Sequence, residues 1–275
     1  MTAHAAIGAM RPLAEMPVQA ARDVRVVFCD IDDTLTHEGR LPAVAYQAVE
    51  RLADAGIAVA PITGRPAGWC DMIARFWPVA GVVGENGAFY FAYDAANRRM
   101  RRIFALSDAE RAEGRRRLER VRARVLAEVP GCAISADQTY READLAVDFC
   151  EDVAPLPPAA VDRIKAIFEE EGAVAKVSSI HVNGWYGAYD KLTMTRRFAS
   201  EVLHLNIDRN GHLAAFAGDS PNDAPMFGFF ANAVGVANVM AFADRLEAKP
   251  AYVTTGAGGY GFVELADRLI AARTG

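Results

Sequence analysis

Cysteine is scarce in this chain. Its 275 residues hold four, Cys29, Cys70, Cys132 and Cys150, far apart and without CxxC or Cys/His spacing. That pattern excludes a zinc-ligand motif and a disulfide framework, and reduced thiols in a cytoplasmic setting are the expectation. Long apolar runs are also missing: no stretch approaches the ~20 residues of a membrane span. Residues 1–22 are rich in Ala and Met, but Arg11, Pro12, Glu15 and Pro17 interrupt them, leaving no apolar core of signal-peptide length. The expectation is a mobile or loosely docked arm without function. Basic excess is absent too. A formal net charge of −5 excludes general affinity for nucleic acid and leaves small anionic ligands, which need only a local positive site. There is no internal repeat and no low-complexity segment, and nothing in the pattern points to an oligomeric state.

Hydrophobic residues make up 52% of the chain, ample for a core. From Val24 onward, short buried strands alternate with amphipathic helices. Val24 to Phe28 leads into Asp30-Ile31-Asp32-Asp33-Thr34-Leu35. The next helix, residues 41–55, carries Val44, Ala45, Ala48, Val49 and Leu52 on one face. Ile57 to Ile62 delivers Thr63-Gly64-Arg65-Pro66, and Val79 to Val83 ends in Gly84-Glu85-Asn86-Gly87. This order predicts a doubly wound parallel α/β sheet, Rossmann-like, with ligands beyond the carboxyl ends of its strands. The pattern then shifts to two strands (88–93 and 100–105), a charged helix (108–129), further strands, a helix at 159–171 and a single last strand at 173–185. It reads as an α+β module inserted into the first domain. The first pattern resumes at Asp190-Lys191, and a buried strand at 213–217 ends in Gly218-Asp219-Ser220-Pro221-Asn222-Asp223. The expected division is a core of residues 23–87 and 188–275 around an inserted domain of residues 88–187.

Three carboxylates at the end of the first strand need an explanation. Two of them about 4 Å apart repel by roughly 4 kcal/mol at an effective dielectric of ~20. A divalent cation of the magnesium type turns that crowding into a site; an Asx turn capping the next helix is the alternative on this segment alone. The remaining segments favour the first reading. Asp30 is the candidate nucleophile for phosphorus, and Asp32 the acid/base for the leaving alcohol and the attacking water, with a pKa raised by neighbouring negative charge. Thr63 and the Gly64 amide offer hydrogen bonds to phosphoryl oxygens, and Lys191 a neutralising charge. Asp219 and Asp223 complete a Mg²⁺ cage with Asp30 and the backbone carbonyl of Asp32.

These four segments, in this order, resemble the ordered motifs of the haloacid dehalogenase superfamily of phosphohydrolases. The insert resembles the type IIB (C2B) cap of Cof-like sugar phosphatases, sucrose-phosphate phosphatase, mannosyl-3-phosphoglycerate phosphatase and eukaryotic phosphomannomutase. The resemblance runs from Val24 to the C-terminus and departs at Asp33, where many relatives have glycine. It implies a cytoplasmic, magnesium-dependent phosphatase acting on a small sugar phosphate or sugar-acid phosphate through an aspartyl-phosphate on Asp30, with neither nucleic acid nor membrane as partner. A phosphomutase using the same intermediate and a non-catalytic phosphometabolite-binding protein are the alternatives.

Candidate substrate contacts are Gly64, Arg65, Asn86 and Asn222, with His181 and Asn183 alternating with apolar neighbours on one strand face. Arginines between Arg111 and Arg124 go all round their helix among glutamates and read as a solvated face. Gly256 to Gly261 reads as a flexible loop, and His37 as a surface loop residue. Trp69 and Trp77 read as core packing.

Overall fold

Small and β-branched apolar residues in runs of four or five build a sheet buried on both faces, as parallel strands between helices require. The computed structural model describes residues 10–178 and 180–274. Its central sheet has the order Arg11–Pro12, Tyr252–Val253, Asn232–Gly235, Ala214–Gly218, Val26–Cys29, Ala58–Pro61, all parallel. Alternate side chains go to opposite faces. Val27, Cys29, Ala215 and Ala217 enter one hydrophobic core, whereas Val26, Phe28, Ala214 and Phe216 enter the other. The helix Ala43–Asp54 buries Ala45, Ala48, Val49 and Leu52. Val44, expected on that face, is 43% exposed.

A parallel bridge between Ile62 and Val83 continues the sheet edge into Val82–Gly84, to which the antiparallel hairpin Phe89–Asp94/Arg99–Phe104 is added. The sequence assigns this hairpin to the inserted module. Its hydrogen bonds go instead to the core edge, because Phe89 and Phe91 face one core while Tyr90 and Ala92 face the other. A separate antiparallel sheet has the order Ala133–Ile134, Asp144–Asp148, His181–Trp185, Val174–Val177. The helices Asp108–Glu128 and Pro158–Glu170 cover one face of it, on Leu145, Val147 and Val182. The single strand expected at 173–185 is thus two paired strands, closed where the Ser178 N–H donates to the His181 carbonyl (2.8 Å).

Two further expectations are corrected. Residues 11–22 of the arm are docked: Arg11–Pro12 adds a strand to the sheet, Leu13, Met16 and Ala21 are buried, and Arg11 donates to the Tyr252 hydroxyl; residues 1–9 lie outside the described residues. The glycine-rich 256–261 stretch is a packing point that begins the helix Gly258–Thr274. A Cβ on Gly258 would lie 2.3 Å from the Thr36 carbonyl oxygen, and one on Gly259 2.5 Å from that of Leu35. The helix thereby backs the loop that follows Asp30.

Candidate active site

Asp30, Thr63 and Asp219 each follow the last residue of a parallel segment, so the sheet delivers them to one edge. Asp30 is 5% exposed, its N–H donates to the Ala217 carbonyl, and its Oδ1 accepts the Ile31 N–H at 2.9 Å. Lys191 Nζ lies 3.2 Å from Asp30 Oδ2 and donates to Asp223 Oδ1 at 3.0 Å. Asp223 Oδ2 accepts the Asp219 N–H, and Asp219 Oδ1 accepts the Thr34 hydroxyl. Carboxylate oxygens of Asp30, Asp219 and Asp223 lie within 4.8 Å of one another, all buried. Burial, with Asp223 and Asp32 and against the pull of Lys191, pushes the Asp30 carboxyl up to about 7. Burial, then Asp223 and Asp30, pushes Asp219 well above its usual range. Burial also opposes the Lys191 ammonium, yet Asp223 and Asp30 overcome it and hold the lysine protonated. One ammonium against three buried carboxylates leaves a charge deficit that an oxygen-liganded divalent cation fits.

The Asp32 carboxylate is not in that cluster. The sequence expects neighbouring negative charge to act on it. Instead the Arg65 guanidinium grips it, with Nε 3.0 Å from both oxygens and Nη2 2.8 Å from Oδ1. Arg65 Nη2 also donates to Glu151 Oε1 at 3.0 Å, so one guanidinium ties Asp32 to the inserted module. Trp69 is 40% exposed rather than packed in the core, and its ring centroid lies 4.6 Å from that guanidinium. The turn holding Glu151 is built by Asp148, whose carboxylate accepts the N–H groups of Cys150, Glu151 and Asp152. His181 Nε2 stands 2.9 Å from Glu151 Oε2 without hydrogen-bond alignment. His181, then Arg65 against burial, holds the Glu151 carboxyl down at about 2.

The turn Glu85–Gly87 joins the two sides of the site. Glu85 and Asn86 both have positive φ (43° and 56°), a strained state for non-glycine residues. Gly87 has φ 104°, and a Cβ there would fall 2.1 Å from the Asp190 carbonyl oxygen. This close approach sets Asn86 beside the helix that begins at Lys191. Asn86 also covers Gly64, where a Cβ would come within 3.2 Å of its amide. Glu85 is fully buried; Oε1 accepts the Ala67 and Glu142 N–H groups and Oε2 those of Ala143 and Asp144. Burial and Asp144, against Arg141 and these N–H groups, push its carboxyl up to about 8. Glu85→Gln must turn an NH₂ onto two of these donors, so the expected cost is about 2–4 kcal/mol. Urea unfolding checks this, and an unchanged midpoint contradicts it.

A narrow cavity enclosing about 20 Å³, room for roughly one water, is lined by Asp30, Asp32, Gly64, Arg65, Asn86, His181, Asn183, Asp219 and Asn222 among the residues expected from sequence. Thr63 is fully buried behind it: its hydroxyl oxygen accepts the Arg65 N–H at 3.0 Å, leaving the hydroxyl hydrogen free to donate. Asn222 Oδ1 accepts the Ser220 hydroxyl. Lys191 and Asp223 lie just beneath, through Asp30 and Asp219. Sequence reasoning missed Glu151, Glu85 and Arg141. Arg141 is 8% exposed and bonds Asp137, Asp144 and the Gly64 carbonyl. Glu85 stands alone among uncharged neighbours, and Arg141 and Glu151 stand beside other charged residues (Glu142 and Asp144; Asp148 and Asp152) that do not set them apart, so no spacing marks any of the three. Asp33, the departure from the glycine of many relatives, has φ 56°, a conformation that Asp tolerates better than most residues.

Residues 27–105 match the family model of haloacid dehalogenase-like hydrolases. No curated protein matches by sequence. Among solved structures, a Thermoplasma acidophilum protein has TM-score 0.68 and 18% identity, covering 90% of this chain and 98% of its own. The trehalose-6-phosphate phosphatase C-terminal domain of C. albicans has TM-score 0.68 at 11% identity, covering 97% and 99%. The sucrose-phosphatase of Synechocystis, solved with sucrose and phosphate, has TM-score 0.61 at 14% identity, covering 90% and 98%. Neighbours this distant share the fold, a parallel core with an inserted α+β cap. Together with the matched segment around Asp30 and Thr63, they show that residues 27–105 are similar to haloacid dehalogenase-like hydrolases and that the chain shares the fold of these structures.

Proposed function

We propose that the protein is a Mg²⁺-dependent phosphatase of a small sugar phosphate. The observation that carries this reading is the placement of Lys191, whose ammonium bridges Asp30 and Asp223 beside the Asp219 carboxylate at the floor of the cavity. In this reading an Asp30 carboxylate oxygen attacks phosphorus as the bond to the leaving oxygen breaks, and Asp32 delivers a proton to that oxygen. Water then attacks the aspartyl-phosphate, with Asp32 taking its proton, and orthophosphate leaves. Lys191, the Thr63 hydroxyl and the Gly64 amide oppose charge on the transferring group. Asp30, Asp219 and Asp223 would hold Mg²⁺, which when bound neutralises phosphoryl charge. Because Arg65 holds Asp32, access of the Asp32 carboxyl to the leaving oxygen requires the guanidinium to shift toward Glu151.

The likeness to trehalose-6-phosphate and sucrose phosphatases supports a sugar as the leaving group. The closed cavity is too small for a sugar phosphate. Substrate entry therefore requires the cap module, which we take to exclude the 89–104 hairpin, to move away from the core. A groove of about 540 Å³ adjoins it through Ser178 and Ser220. The test is phosphate release from sugar phosphates, phosphoglycerate conjugates and nucleotides, with Mg²⁺ and with chelator. Release from sugar phosphates that chelator stops is expected; none from any member sinks the reading.

A further inference from the structure

The guanidinium groups on the cavity wall, and the Asn183 amide, face protein carboxylates rather than the cavity. Arg65 is taken by Asp32 and Glu151, Arg141 by Asp137 and Asp144, and the Asn183 amide by Asp144. Two guanidinium groups thus face four carboxylates. His181 differs: it is 3% exposed, lines the cavity, and its Nε2 meets Glu151 Oε2 at 2.9 Å without hydrogen-bond alignment. Next to it stands the carboxylate of Glu151, set by the Asp148 turn. This wall offers a buried ring nitrogen and a carboxylate to hydroxyl groups, and, among the described residues, no unpaired cation to a second anion. Apart from Lys191, which Asp30 and Asp223 hold, the ammonium nearby among the described residues is that of Lys176, paired in register with Asn183. It is solvent-exposed and lines a separate small cavity beyond Asn86 and Asn222.

We propose that Glu151 is a specificity-determining residue that sets the charge class of the leaving group: the site accepts neutral polyols and rejects substrates that carry a second anionic group. The inference rests on the phosphatase reading and deepens it. Rejection is electrostatic. A second phosphate or carboxylate brought to His181 or Arg65 meets the Glu151 charge at close range in a poorly solvated site, and the guanidinium that would offset it is already held by two carboxylates. A hydroxyl at the same place can donate to Glu151 and pair with His181 Nε2. Such a wall also disfavours a bisphosphate activator, which a phosphomutase needs.

The test compares kcat/KM for a neutral hexose 6-phosphate with 6-phosphogluconate and a hexose 1,6-bisphosphate, in the wild type, Glu151→Gln and Lys176→Met. The wild type should prefer the neutral ester at least about tenfold, an effect of the size that one unscreened carboxylate exerts. Glu151→Gln should narrow the gap to within about threefold, chiefly by improving the anionic members, whereas Lys176→Met should leave it standing. Equal use of all three esters by the wild type, or a gap that Glu151→Gln leaves intact, overturns the proposal. Should no ester be hydrolysed, the phosphatase reading falls by itself. Calorimetric binding of the same three esters to the Mg²⁺-loaded protein then tests the charge preference: a neutral-ester preference lost in Glu151→Gln upholds it, and equal affinities overturn it.

Discussion

Asp30→Asn lowers phosphate release by at least about 10³-fold, with KM moving far less than kcat. The amide keeps the size of the side chain, and its oxygen can still accept the Ile31 N–H, but an amide cannot attack phosphorus to give an acyl phosphate. What is lost is a covalent step rather than a binding contact, so the loss falls on kcat. The new NH₂ faces Lys191, which keeps its bond to Asp223. Thermal unfolding therefore serves as the control for a folded variant. Asp32→Asn separates the two carboxylates. Its loss should be large on an alkyl phosphate and much smaller on an aryl phosphate, whose better leaving group needs less protonation. Wild-type-like turnover by Asp30→Asn on an aryl phosphate would remove it as nucleophile.

The second large effect is on stability. Asp30 and Asp219 both have folded-state pKa values raised by burial among carboxylates, Asp30 to about 7 from 3.8. A carboxyl raised in the folded state binds more protons there than in the unfolded chain. Its contribution is present in full below about pH 4 and is lost as pH rises through about 7, an effect on the order of a few kcal/mol for Asp30. Metal-free protein should thus lose stability over that window. Mg²⁺ must displace the same protons, so its affinity should strengthen by up to about tenfold per pH unit between pH 5 and 7 for each proton displaced. Thermal unfolding at pH 5, 6 and 7 with and without Mg²⁺ measures this. At a Mg²⁺ concentration about 100 times Kd the gain is about 2.7 kcal/mol, and Asp219→Asn should remove most of it. Stabilisation by Mg²⁺ that is flat or falls with rising pH contradicts the assignment of the cluster as its site.

Much of the core was legible because its signals are local. Four apolar residues followed by Asp30, Thr63 or Asp219 mark a buried parallel strand and its carboxyl end without reference to anything distant. The placement of Asp30 beside Asp219 then follows from the rule that such ends share one edge. The cap was legible as helices and strands but not in its pairing. The 89–104 hairpin reads equally well on either sheet, and its partner is fixed by Phe89 and Phe91 packing on one side of the core edge and Tyr90 on the other. The strand expected at 173–185 ends at Val177 and a second begins at His181, with no glycine or proline between them to announce the break.

The environment of Asp32 was not legible at all. Counting neighbours along the chain finds Asp30 and Asp33, whereas the group that touches it is Arg65, 33 residues away. By itself, the sequence determined the α/β core, the strand ends and the identities of the side chains collected there, since these depend on hydrophobic periodicity and residue type. Only the tertiary structure decided which charges offset one another: Lys191 on Asp30 and Asp223, Arg65 between Asp32 and Glu151, Glu85 on the backbone of residues 142–144. The reason is physical. Coulombic and hydrogen-bond partners are set by distance and burial in space, and single charged residues in separate segments leave no pattern along the chain from which those distances could be read.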